Sequence, residues 1–238
     1  MCKGHVFDKN FETTVRPKVQ NRRYFCPGLN DYPTARENSY TLHNMLTQQN
    51  LLDRLETELR EILETARTQI APLPAEALQF RPAPSRPKAK ESWNILECLA
   101  HLNAFSEQYF SRIDLAIHKA KARKWLASAD APVKYYGRGK RAIRRADPNN
   151  GKWLKSPKVY NFSGKALGNE VVKTFIINAE RLLRTIQIAR DVDLNRPKVR
   201  KAHAWRGKYS LGNLLEYLVT HQQRHLQQAL TIIQKSGR

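Results

Sequence analysis

Apolar residues recur at steps of three and four along four stretches of this chain. In the first, Leu52, Leu55, Leu59, Ile62, Ala66 and Ile70 form one stripe, with the i,i+4 pair Glu56/Arg60 among its polar positions. This period predicts an amphipathic helix from Thr47 to near Pro72. A second stripe, Ile95, Leu99, Leu102, Tyr109, Ile113 and Ala116, predicts a helix from the N-cap candidate Ser92 to about Ala127. The third runs through Val172, Phe175, Ala179, Leu182, Ile186 and Ala189, behind the capping residue type Asn169. The fourth has Ser210 as its N-cap and passes through Leu211, Leu215, Leu218, Ala229 and Ile232. There Tyr209 and Leu214 are spaced for a hydrophobic staple.

The connections break these patterns. Pro72, Pro74, Pro82, Pro84 and Pro87 exclude a helix interior between Pro72 and Glu91. Residues 128–167, interrupted by Pro132, Gly137, Gly139, Pro148, Gly151, Pro157 and Gly164, read as a long basic loop, and Asp191 to Arg206 as an exit loop. No segment carries a convincing strand pattern or a solenoid repeat. Four amphipathic helices with two long connections predict an all-α four-helix bundle, with the basic loop between helices 2 and 3. Residues 45–238 would form this domain. Residues 1–44, with little periodicity, read as a weakly structured extension, or as sequence upstream of a start at Met45.

Composition narrows the class. Hydrophobic residues make up 41% of the 238, enough for a core, and no apolar run reaches the roughly 18 residues of a membrane span. The first residues, Met-Cys-Lys-Gly-His-Val-Phe-Asp, lack a signal-peptide core, so a cytoplasmic location is expected. Cys2, Cys26 and Cys98 are scattered and argue against both a disulfide framework and a Cys-x-x-Cys site. Cys98 reads as a small core residue.

Seven histidines occur, and three lie in predicted helices at informative places. His221 and His225 are one turn apart on the seam that includes Leu218 and Ile232. Two imidazoles so placed can aim nitrogens at one point, as neutral ligands of zinc or nickel do. The competing reading is a pair hydrogen-bonded to carbonyls or water inside the bundle. His101 lies beside Cys98 and Phe105 at the edge of the second helix's apolar face, and periodicity alone does not single it out.

The segment Ser92-Trp93-Asn94-Ile95-Leu96-Glu97-Cys98-Leu99-Ala100-His101-Leu102 resembles the W-S-x-x-E-x-L-x-H-L element of DinB-like proteins, with Trp93 after the serine instead of before it. Tyr209-Ser210-Leu211, followed by His221-Gln222-Gln223-Arg224-His225-Leu226-Gln227-Gln228, is similar to that superfamily's last helix. Lys155-Ser156-Pro157-Lys158 and Arg181-Leu182-Leu183 resemble its middle section, so the likeness spans roughly residues 46–236. It implies an up-down-down-up bundle and a divalent metal (zinc, nickel or manganese) on His101, His221 and His225. It also implies a small-molecule substrate, with a low-molecular-weight thiol as co-substrate of some relatives. Three protein ligands leave a coordination position open. A thiol there would react as thiolate, and a water would approach a pKa of roughly 7, so S-transfer and hydrolysis are the expected reactions. A homodimer remains an option for the outer apolar faces.

The net charge of +21 is unevenly placed: residues 118–210 hold 24 basic and 6 acidic side chains. Within them Tyr135, Tyr136, Lys140, Arg141, Arg144, Arg145, Lys152 and Trp153 interleave cations with rings. That pattern suits phosphate contacts and base stacking, so the rival function is a non-catalytic module binding nucleic acid. A solvated loop, or a loop that draws an anionic substrate toward the metal end, would have the same composition.

Overall fold

The structure, a computed structural model, describes residues 46–84, 92–128, 130–150, 156–202 and 207–237. It is predominantly helical. Its long helices are α1 (Gln48–Thr65), α3 (Ile95–Ala122), α5 (Glu170–Ile188) and α6 (Leu211–Lys235). Helix α3 packs on α5 and α6, and α1 packs on the same two. Every stripe residue read from the sequence is buried in one shared core. The expected extension, residues 1–44, lies outside the described residues.

Local chemistry sets most helix ends, and several differ from expectation. Thr47 caps α1, its hydroxyl accepting from the Asn50 N–H at 3.1 Å. One π-helical turn, Ala66–Ile70, continues that helix toward Pro72. A five-residue helix, α2 (Ala75–Gln79), fits between Pro74 and Pro82, because proline is tolerated just ahead of a helix. The N-cap of α3 is Asn94, not Ser92. Asn94 and Glu97 form a reciprocal capping box, while the Ser92 hydroxyl donates to the Pro82 carbonyl. Helix α3 also stops at Ala122, short of Ala127. Lys124 adopts φ 54°, and the N–H groups of Lys124 and Trp125 donate to the Lys121 and Ala120 carbonyls. These two bonds make a Schellman stop with lysine where glycine is usual, so no sequence punctuation marks it.

Asn169 and Ser210 hold their expected N-cap positions without a capping side-chain bond. For α6 the reason is visible: the Leu211 and Gly212 N–H groups donate to the carbonyls of Pro197 and Leu194, both at 3.0 Å. The preceding loop thus satisfies donors that the serine would otherwise serve.

Two departures concern the regions read as loops. Residues 198–210 contain an antiparallel pair, β1 (Lys198–Arg200) and β2 (Lys208–Ser210), in register Lys198↔Ser210, Val199↔Tyr209, Arg200↔Lys208. Three residues per strand are too few to show a period in sequence; burial of Val199 and Tyr209 holds the pair. The basic loop contains helix α4 (Gly137–Ala146), which packs against α6. Gly137 and Gly139 read as breakers, yet Gly139 is what lets α4 approach: a Cβ there would lie 2.4 Å from Asn213 Oδ1. Asn213 instead accepts from the Tyr136 N–H and donates to the Lys134 carbonyl, fastening the start of α4.

Candidate metal centre

Three histidines from two helices meet inside this fold. His101 stands on α3 two turns past its capping box, and His221 and His225 stand one turn apart on α6. One ring nitrogen from each lies within 4.8 Å of the others. The Nε2 atoms of His101 and His221 are 3.2 Å apart. The residues named from sequence as ligands are therefore brought together, and they form a set that could hold a metal ion.

The surroundings orient two of the rings. His101 Nδ1 donates to the Tyr160 carbonyl at 2.9 Å, which leaves Nε2 unprotonated and turned to the cluster. The short turn Lys158–Tyr160 supplies that carbonyl, and Ser156 Oγ lies 3.4 Å from the same nitrogen. His225 Nδ1 faces Gln228 Oε1 at 3.0 Å, with the same consequence. An acceptor on the far nitrogen fixes the tautomer and makes the facing nitrogen more basic, as in metal sites. Gln228 lies within the matched last-helix motif, but nothing in the sequence marks Tyr160, 59 residues from its partner.

Aromatic rings close the cluster from the sides. Trp93 stacks on His225 at 5.8 Å and tilts over His101 at 5.1 Å. Phe105 presents its ring to His221 at 4.7 Å, and Tyr217 stacks on His221 at 5.8 Å. In this apolar setting the imidazolium form is disfavoured. Burial holds His101 down at about 4. Burial and the neighbouring His101 hold His225 at about 3, and burial with its two histidine neighbours holds His221 well below the usual range. All three are neutral at pH 7, the form that ligates metal.

The start of α3 rests on Glu97. Its fully buried carboxylate accepts two bonds from Arg81, at 2.6 and 2.9 Å, and one each from the Asn94 and Gly164 N–H groups. Cys98, beside it, is a buried core residue whose thiol burial pushes up, away from the thiolate.

The residues named for anion contact lie elsewhere. Lys140, Arg141, Arg144 and Arg145 are exposed on α4, and Lys152 and Trp153 lie outside the described residues. The tyrosines offer no open stacking pair: Tyr135 is half-buried, and Lys198 Nζ sits 3.8 Å over the Tyr136 ring. Among the described residues no helix is long and apolar enough to cross a membrane.

Neither the curated proteins nor the solved structures contain a match to this chain. The sequence model described as the DinB superfamily matches residues 51–229, from the first core turn of α1 to the penultimate turns of α6. That span contains all three histidines and most of every long helix, and with it the chain belongs to the DinB superfamily.

Proposed function

We propose that the protein binds one divalent cation through Nε2 of His101, His221 and His225, in a four-helix bundle of up-down-down-up order. We further propose that it uses this ion in thiol S-transfer to, or hydrolysis of, a small molecule. The observation that carries the reading is the convergence of three neutral imidazoles within 4.8 Å, two with the far nitrogen already engaged by an acceptor.

The donor set suits zinc or nickel, with manganese as the harder alternative. When bound, the ion would supply positive charge that favours the deprotonated form of a thiol or a water. Tyr160 and Gln228 hold their imidazoles in the ligating tautomer. Trp93, Phe105 and Tyr217 wall the site against bulk water and leave an apolar surface for the uncharged part of a substrate.

The test is metal analysis of untagged protein after exposure to Zn²⁺, Ni²⁺ or Mn²⁺, followed by assay of thiol transfer and hydrolysis with and without chelator. One equivalent of tightly held metal, absent from His225→Ala, is the expected result. Protein that stays metal-free, or a His225→Ala variant with the same metal content, would sink the reading.

A further inference from the structure

Beside the histidines the fold gathers four cations that have no ion-pair partner among the described residues. Arg138, Arg141 and Arg145 are spaced i, i+3, i+7 and share one face of α4. Lys201 follows β1, and its place is set by several contacts. Its N–H donates to the Gly207 carbonyl at 3.1 Å, and its own carbonyl accepts from Arg112 Nη1 of α3 at 3.0 Å. The next N–H, of Ala202, donates to the Tyr109 hydroxyl at 3.3 Å. Gly207, at φ +124°, runs beneath the stems of both Lys201 and Arg138: a Cβ there would lie 3.3 Å from Lys201 Cδ and 3.7 Å from Arg138 Cδ. Thus two separate pieces of chain meet at Gly207, each bringing basic side chains.

The charges feel one another. Burial, then Arg138, Arg141 and Arg145, push the Lys201 ammonium down from its ordinary value. None of the ion pairs among the described residues involves any of the four. The Tyr209 ring, 5.1 Å from Lys201 Nζ, gives only a weak cation–π offset. Like charges held together by backbone anchors raise the energy of the free protein, and a multiply charged anion relieves it.

The cluster also adjoins the metal centre. Tyr209 lies 5.8 Å from Tyr217, and Tyr217 stacks on His221. Arg224, next to His225, donates from Nη1 to the Asp147 carbonyl at 3.0 Å, so the end of α4 is tied to the helix that carries two of the histidines.

We propose that Arg138, Arg141, Arg145 and Lys201 form a subsite for the phosphate group of a small phosphorylated molecule. Its remainder would reach toward the histidines, a direction that rests on the metal reading above; the phosphate subsite does not. The convergence of two chain segments at Gly207, with no open ring pair beside the cluster among the described residues, favours a small ligand over a polynucleotide.

Calorimetric titration of the full chain with pyrophosphate, and separately with a 15-nucleotide oligothymidylate, tests this. The Arg141→Ser/Lys201→Ser double variant is compared, with zinc uptake measured on the same samples. Pyrophosphate should bind the parent protein, and the variant should lose at least about tenfold in affinity, since charge-assisted contacts are removed. Zinc uptake should be unchanged. No pyrophosphate binding, or equal binding by the variant, overturns the subsite. Oligothymidylate binding far tighter than pyrophosphate, falling steeply with salt, overturns the small-ligand assignment in favour of a polynucleotide surface. Pyrophosphate binding that the variant loses, in protein that takes up no metal, supports the subsite while removing the metal reading.

Discussion

Nε2 of His101 stands 3.2 Å from Nε2 of His221, across the contact between α3 and α6. Because His101 gives its Nδ1 proton to the Tyr160 carbonyl, its Nε2 can only accept, and His221 donates to it. Metal uptake therefore requires His221 to move its proton to Nδ1, whereas His101 and His225 are already in the ligating form. In the metal-free protein, nitrogen NMR shifts should report His221 as the Nε2–H tautomer, changing on addition of zinc while the other two rings keep theirs. Three rings that all change tautomer would show that Tyr160 and Gln228 do not orient the site.

Removal of Gln228 separates orientation from ligation. Gln228→Ala deletes the acceptor 3.0 Å from His225 Nδ1 and leaves all three ligands in place. Metal affinity should fall roughly 10–100-fold, the usual cost of losing such a partner. His101→Ala, His221→Ala and His225→Ala should each cost more. Competition with a chromophoric chelator measures both effects.

Acid should act on this cluster before it acts on the rest of the core. Relative to the unfolded value of 6.5, the folded-state values of His101, about 4, and His225, about 3, are depressed. Below 6.5 the unfolded chain therefore binds protons that the folded chain refuses, and stability falls as pH drops through this window toward 4. Thermal melts of the metal-free protein should show the midpoint declining between pH 6.5 and 4. A His101→Gln variant should show a shallower decline, and an identical pH profile would count against burial of these rings.

Glu97 is predicted to matter for stability and not for metal selectivity. Its carboxylate serves Arg81 and two backbone N–H groups at zero exposure, so Glu97→Ala strands several donors at once. The loss should be roughly 3 kcal/mol, as for a buried pair broken on one side. Denaturant unfolding measures it, and a change under 1 kcal/mol would show that water replaces the carboxylate.

Gly139→Ala probes the seating of α4. The new methyl would meet Asn213 Oδ1, Cβ and Cγ between 2.4 and 2.8 Å, and Asn213 is itself held by Tyr136 and Lys134. An overpacking cost of about 1–3 kcal/mol is expected. Because α4 carries three of the four cations, pyrophosphate affinity should fall with it, while zinc affinity stays within a few-fold. Unchanged melting would mean that α4 does not press on α6.

The parts of this protein legible in its sequence are those governed by local period. The four stripes are all buried as read, because an amphipathic helix of such length has one way to hide its apolar face. The pair His221/His225 was legible for the same reason: both lie on the seam of one helix. His101 was not, except through family resemblance. A wheel drawn for one stripe puts it at the margin, but α3 is flanked by both α5 and α6, so Cys98, His101 and Phe105 lie inside. Only the second neighbour turns an edge into an interior.

Tertiary structure alone decided the remainder. The carbonyl of Tyr160 that sets the His101 tautomer arrives from a turn 59 residues away. Helix α4, with two glycines in ten residues, has too little propensity to form alone and exists because α6 receives it at Gly139 and Asn213. The strands β1 and β2 are too short to leave a pattern. From sequence alone the basic stretch was a tally of charge. The backbone path through Gly207 places Lys201 among Arg138, Arg141 and Arg145, and proximity of that kind is a property of contacts between distant segments, which no local pattern encodes.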